Sequence, residues 1–128
     1  MNGAWYLFYH RQTNRTFFSR QACAELVTIL SDGRIPQVRI TSCGLNGGPL
    51  RGAGVYEARI ACHLWGKEGA VWSRKALMEG RFPYFTQDGS DRESGPGQYI
   101  ANMRDGASAG YRYFNLKPEG AIRLRVRG

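Results

Sequence analysis

The sequence has no apolar run approaching the roughly 20 residues that a membrane helix needs. It opens on Met1-Asn2-Gly3-Ala4-Trp5, with no basic segment leading into an apolar one, so no signal peptide is expected. Cysteine is scarce: Cys23, Cys43 and Cys62 are widely spaced and odd in number. Without a CxxC pair they suggest neither a zinc cage nor a thioredoxin-type site. At least one thiol stays unpaired in a monomer, which favours a reducing, cytoplasmic compartment without fixing one. Histidine is scarcer still. His10 and His63 lie far apart with no Ser or Cys elbow, so no nucleophilic triad is readable. Acids number 10 against 18 Lys and Arg, leaving a net charge of +8, yet no block of like charges exists. Such a balance suits nucleic acid, an acidic polymer or simply a solvated basic surface, and the last is the plainest reading.

What is present points to β-structure. The 128 residues match one compact domain, and 42% apolar with 22% charged residues is globular rather than disordered. Glycine, at 17 residues, is nearly double the usual ~7%. With 12% aromatics it favours strands and tight turns over a helical bundle.

Trp5-Tyr6-Leu7-Phe8-Tyr9 fits a strand buried on both faces. A polar turn at Thr13-Asn14-Arg15 and a resumption of β-type residues at Thr16-Phe17-Phe18 predict an antiparallel pair. From Ser19 to Leu30 the signals conflict. Cys23, Leu26, Val27 and Leu30 fall at helical spacing behind an N-capping Ser19, but Val27-Thr28-Ile29 is β-branched. Periodicity alone predicts a helix there. Ser31-Asp32-Gly33-Arg34 reads as a hairpin turn, and Val38 and Ile40 alternate as in a half-buried strand. The Gly-rich stretch from 43 to 54 reads as a linker and the best domain boundary. Strand-like chain follows from Val55 to Trp65, then a short helix or irregular excursion from Ala70 to Glu79. Two further strands, Tyr99 to Met103 and Gly110 to Phe114, are expected around Arg104-Asp105-Gly106. The clearest strand pattern is the last: Ile122, Leu124 and Val126 alternate with Arg123, Arg125 and Arg127.

The chemical motifs are thin. Gly44 to Gly54 holds no GxGxxG and no GxxxxGK, so its glycines are read as turn residues. Asp88, Asp91 and Glu93 form an acidic loop without the ligand spacing of an EF-hand. Tyr111-Arg112-Tyr113-Phe114 and the final arginine face are the best nucleic-acid candidates. No helix-turn-helix, zinc finger or RNA-recognition signature supports them, and nucleic acid is disfavoured.

The run Trp5 to Asn14, followed by Phe18-Ser19-Arg20-Gln21-Ala22-Cys23-Ala24-Glu25, resembles the closing blade of glycoside hydrolase family 43 enzymes. Ile35-Pro36-Gln37-Val38, Thr41 to Leu50, Gln98 to Met103 and Asp105 to Phe114 resemble the region after it. There a five-bladed β-propeller leads into a sandwich similar to carbohydrate-binding module family 6. The resemblance implies an all-β chain: the end of a propeller at 1–42, a linker at 43–54, and an incomplete antiparallel, jelly-roll-like sandwich at 55–128. It turns Ser19 to Leu30 into propeller strands, against the periodicity. It also implies that Trp5, Phe8 and Phe17, without neighbouring blades, are exposed or repacked.

The family inverts glycosidic bonds in arabinose- and xylose-containing polysaccharides of plant cell walls. Inversion takes one carboxylic acid and one carboxylate on opposite faces of the sugar. By the resemblance, the catalytic Asp, Asp and Glu would precede residue 1, so the chain is expected to be a fragment without activity. Glu25 and Asp32, on an outer strand and a turn, are expected to be ordinary surface charges. His10 resembles a histidine facing a cation in the propeller channel, and Arg20 an arginine that reaches substrate. Trp65, Trp72, Tyr84 and Tyr99 are available for stacking on sugars. A structural calcium is implied, with Glu57 the nearest ligand candidate. Two other readings stay open: a stand-alone carbohydrate-binding β-protein, and a basic nucleic-acid binder. An exposed sheet edge also invites self-association.

Overall fold

A computed structural model describes residues 3–16, 18–70, 80–89 and 97–127. Among them the chain is all-β, with two single-turn 3-10 helices at Gly44–Asn46 and Ala58–Ile60. In order the strands are β1 (Trp5–Gln12), β2 (Arg20–Val27), β3 (Leu50–Arg51), β4 (His63–Trp65), β5 (Tyr84–Gln87), β6 (Gln98–Ala101), β7 (Ser108–Gly110) and β8 (Phe114–Asn115). They form four two-stranded sheets: β1–β2, β3–β8, β4–β7 and β5–β6. No sheet closes. All pairs are antiparallel except β3–β8, which departs from a wholly antiparallel arrangement.

The β1–β2 hairpin is the longest element. Its register runs from Trp5 opposite Val27 to Gln12 opposite Arg20. The turn falls where the polar residues predict it, with Asn14 at φ 55° and Arg15 at φ 54°. Two successive left-handed residues match the twist of a hairpin, and Asn adopts that conformation readily. Asn14 also ties the turn to β5. Its backbone N–H donates to the Phe85 carbonyl at 2.8 Å, and Thr86 Oγ1 donates to its side-chain oxygen at 2.6 Å.

Several expectations need correction. Arg20–Val27 is a strand, so the helical spacing of Cys23, Leu26 and Val27 was incidental; within Ser19 to Leu30 the resemblance expected strand, and 28–30 belong to none. That strand starts at Arg20, leaving Phe18 outside it and 93% exposed. β1 is not buried on both faces: Trp5 is 64% and Phe8 67% exposed. Phe17 and Ala70-to-Glu79, apart from Ala70 itself, lie outside the described residues. The turn at 31–34 forms, with Gly33 N–H donating to the Leu30 carbonyl at 2.9 Å, but Val38 and Ile40 belong to no strand. Val55 to Trp65 is a 3-10 turn and a three-residue strand rather than one long strand. Of the two strands expected at Tyr99 to Met103 and Gly110 to Phe114, the first forms as β6, paired with β5, but the second does not: β7, paired with β4, ends at Gly110, and 111–113 belong to no strand. The final alternating stretch forms no strand, and Ile122, Leu124 and Val126 are 80–83% exposed. Alternation prepares a strand; only a partner makes one.

The buried apolar side chains among the described residues are Cys43, Leu50, Ala61, Cys62 and Phe85. Two of them, Cys43 and Leu50, come from the Gly-rich stretch, which therefore contributes packing as well as turns. Gly52 is required where β3 meets β8, because any Cβ there would collide with the Asn115 carbonyl. The total accessible surface is 10169 Å². A compact monomer of 14.4 kDa exposes about 6,800 Å². The fold is open, and polar ties do much of the work that a core does elsewhere.

Candidate functional site

The cleft between the β1–β2 hairpin and the chain at 41–45 and 59–60 has a volume of about 320 Å³. Cross-strand register decides its chemistry. Tyr9 pairs with Cys23 and Leu7 with Glu25, so Tyr9, Cys23 and Glu25 share one face of the hairpin. Glu25 is only 3% exposed, which corrects its expected role as a surface charge. Its carboxylate accepts the Tyr9 hydroxyl at 3.0 Å and the Thr41 N–H at 2.7 Å on Oε1, and the Thr41 hydroxyl at 2.6 Å on Oε2. A buried carboxylate needs such donors, since its desolvation is otherwise costly.

Arg11 is the second tie. Its guanidinium donates to the carbonyls of Ala61 and Arg59 and, through Nε, to Gln21 Oε1 at 3.1 Å. It also lies 3.8 Å over the Phe85 ring. This caps the 3-10 turn at Ala58–Ile60 with a positive charge, where free carbonyls accumulate. Burial pushes the Cys23 thiol above its ordinary range even though Arg11 pulls it down. Cys23 is therefore a poor nucleophile at neutral pH.

The Tyr9 phenol is raised far above its usual value, first by burial and then by its hydrogen bond to Glu25. A group whose folded pKa exceeds its unfolded value contributes stability that is complete below the unfolded value. For a tyrosine that value is about 10, and the contribution fades as pH climbs towards the folded one. Thermal stability is expected to fall above about pH 10, and Tyr9→Phe to flatten that fall. Melting curves from neutral to strongly alkaline pH check it; an unchanged slope in the variant would assign the fall to other groups.

The other predicted residues sit elsewhere. His10 and Arg20 occupy one face of the hairpin, opposite Ala22 and Gln12, which makes them diagonal neighbours. Both are exposed, and the hydrogen bond Arg20 makes runs from Nη1 to the Ser19 carbonyl at 3.3 Å. Tyr84 and Tyr99 also share a face, that of β5–β6, because Tyr99 pairs with Thr86. Arg15 lies 4.9 Å over the Tyr84 ring and Arg127 4.6 Å over Tyr99. A sugar ring would compete with those guanidinium groups or use the opposite ring faces. Trp72, Asp91 and Glu93 lie outside the described residues.

Glu57 is exposed and ion-paired to Arg59. Calcium takes six to eight oxygens. No group of three or more His, Cys, Asp or Glu gathers among the described residues. Three further acids are similarly engaged: Asp32 by Arg34, Asp88 by Arg127, and Asp105 by Lys67 at 3.6 Å. Hydrogen bonds from Arg34 hold the Asp32 carboxyl below the ordinary carboxylate range, and those from Arg127 do the same for Asp88. A glycosidase acid needs the opposite shift.

No helix among the described residues is long and apolar enough to cross a membrane. No family model matches the chain, and no solved structure does. A curated protein from Thermoclostridium stercorarium, named "Xylosidase/arabinosidase", is 52% identical over 130 residues. The similarity covers 100% of this chain and 27% of that protein, so the chain spans about a quarter of its relative's length.

Proposed function

We propose that the chain is a segment of a family 43 glycoside hydrolase acting on arabinose- and xylose-bearing cell-wall polysaccharide. The 52% identity to the xylosidase/arabinosidase, sustained along the whole chain, carries this reading. In this reading residues 1–42 close a propeller, 43–54 lead out of it and 55–128 belong to a sandwich. The hairpin suits the first assignment, since Trp5 and Leu7 on one face and Phe8 and Leu26 on the other stay exposed. His10 and Arg20 then approach the substrate channel from the exposed face they share. The fixed charge of Arg20 lowers the pKa of any carboxyl it meets and hydrogen-bonds sugar hydroxyls. Tyr84, Tyr99 and Trp72 are the stacking candidates for a sugar at the second unit. Calcium enters only as a structural ion, and Glu57 serves it only once its pairing to Arg59 is given up.

Catalysis requires more than this chain displays. Inversion needs an acid and a base about 6.5–9.5 Å apart. Glu25 is occupied by Tyr9 and Thr41, while Asp32, Glu57, Asp88 and Asp105 are held by cations. The purified chain is expected to show no turnover of aryl arabinosides or xylosides. Joined to the rest of the Thermoclostridium relative in place of its matching quarter, it is expected to restore turnover, and Arg20→Ala to depress it. Turnover by the chain alone, lost on Arg20→Ala, would overturn the proposal of an inactive segment.

A further inference from the structure

Away from the hairpin cleft, three separate segments bring two arginines to one phenol. Ser42 and Arg112 bind each other twice: Arg112 N–H donates to Ser42 Oγ at 3.1 Å, and Ser42 N–H to the Arg112 carbonyl. This fastens the chain before Ser42 against the link between β7 and β8. Arg39 Nη1 consequently reaches Tyr113 Oη at 3.3 Å. The Arg112 guanidinium donates to His63 Nε2, and hydrogen bonding to the Cys62 thiol foremost, with Tyr113 after it, raises its pKa.

No carboxylate among the described residues completes this group. Arg34, Arg59 and Arg127 each hold an acid, whereas the groups acting on Arg112 and Tyr113 are a thiol, a phenol and guanidiniums. Two cations sharing a neutral oxygen repel one another, and an added anion relieves that repulsion. The planar forks of two guanidiniums match the two oxygens of a carboxylate. Beside them lies an aromatic surface. The His63 and Trp65 rings are 5.5 Å apart at 38°, and Trp65 remains 50% exposed. Tyr113, at 42%, is also open to solvent.

We propose that Arg39, Arg112 and Tyr113 form a subsite for the carboxylate of an acidic sugar whose ring rests against Trp65. The arginine pair supplies the charge selection and the indole face supplies the stacking surface. This goes beyond the neutral pentoses of the function proposed above. It also does not depend on turnover, so the two readings fail separately.

Titration of the full 128-residue chain with D-glucuronate, D-xylose and inorganic sulfate tests it. Glucuronate is expected to bind at least about tenfold more tightly than xylose. Arg39→Gln is expected to weaken glucuronate by about tenfold, because it deletes one guanidinium from the pair. Arg39 is exposed and makes a single side-chain hydrogen bond, so this variant should keep the parent's circular dichroism spectrum. Trp65→Ala is expected to weaken glucuronate while leaving sulfate unchanged. Equal affinity for glucuronate and xylose, or indifference to Arg39→Gln, overturns the proposal. So does glucuronate binding unaffected by Trp65→Ala, which would leave a bare anion site. Displacement of glucuronate by single-stranded DNA at lower concentration would point to a nucleic-acid surface instead and likewise overturn it.

Discussion

Glu25→Ala is expected to release the β1–β2 hairpin from the rest of the chain. The carboxylate joins Tyr9 on β1 to both donors of Thr41, and all three hydrogen bonds go at once. Hydrogen bonds to a charged group contribute about 1.5–3 kcal/mol, and a buried donor left unpaired costs about 1–3 kcal/mol. A loss of about 3–5 kcal/mol is therefore expected, against the roughly 5–15 kcal/mol that stabilises a typical domain. No large side chain is fully buried here to offset it. Glu25→Gln retains an acceptor for one or two of the donors, and its cost should be nearer 1–2 kcal/mol, about that of Thr41→Val. Urea midpoints for the three variants, with amide exchange across β1 and β2, make the comparison. Coincident midpoints for Glu25→Ala and the parent would mean that Arg11, through the carbonyls of Arg59 and Ala61, and Asn14, through β5, fasten the hairpin without it.

Why Glu25 was unreadable in the sequence follows from its partners. Tyr9 and Thr41 each lie 16 residues away, on opposite sides, and neither relation has a local signature. An acid in a strand reads as solvent-facing unless the register is known. Once Tyr9 is set against Cys23, Glu25 becomes a diagonal neighbour on the same face, so the register was the missing information. The hairpin turn, by contrast, was legible because Thr13-Asn14-Arg15 carries its own conformational preference. The helical spacing of Cys23, Leu26 and Val27 misled because the covered face of β2 carries Gln21, Cys23, Glu25 and Val27, two of them polar, so its period of two is not written in apolar residues. The opposite error occurred at the C-terminal stretch. Ile122, Leu124 and Val126 have the period of a strand, but a period says which face a neighbour would cover, not that a neighbour is there. His10 and Arg20 were reached only through the family resemblance. Their shared face became visible when the register put them on the same side of the hairpin.

Concentration-dependent self-association is the second large effect expected. The chain exposes roughly one and a half times the surface of a compact monomer of its mass, 10169 Å² against about 6,800 Å². Apolar side chains make up part of that surface on both faces of one hairpin: Trp5 and Leu7 on one, Phe8 and Leu26 on the other. Such patches seek cover, and four two-stranded sheets offer unpaired edges that can supply it. Opposing this is the net charge of +8, which keeps copies apart. The balance sets a sign that distinguishes this mechanism from ion pairing. Salt shortens the reach of charge repulsion, to a Debye length of about 8 Å at physiological ionic strength, but leaves apolar burial intact. The weight-average mass from sedimentation equilibrium should therefore rise with both protein and salt concentration. Phe8→Lys should lower it at every salt concentration, since it removes an exposed ring and adds a charge. Association that weakens as salt is added would instead identify ion pairs as the contact. A strict monomer at all concentrations would mean that the hairpin faces find cover within a single chain, and the open arrangement of β1 and β2 would then be wrong for the molecule in solution.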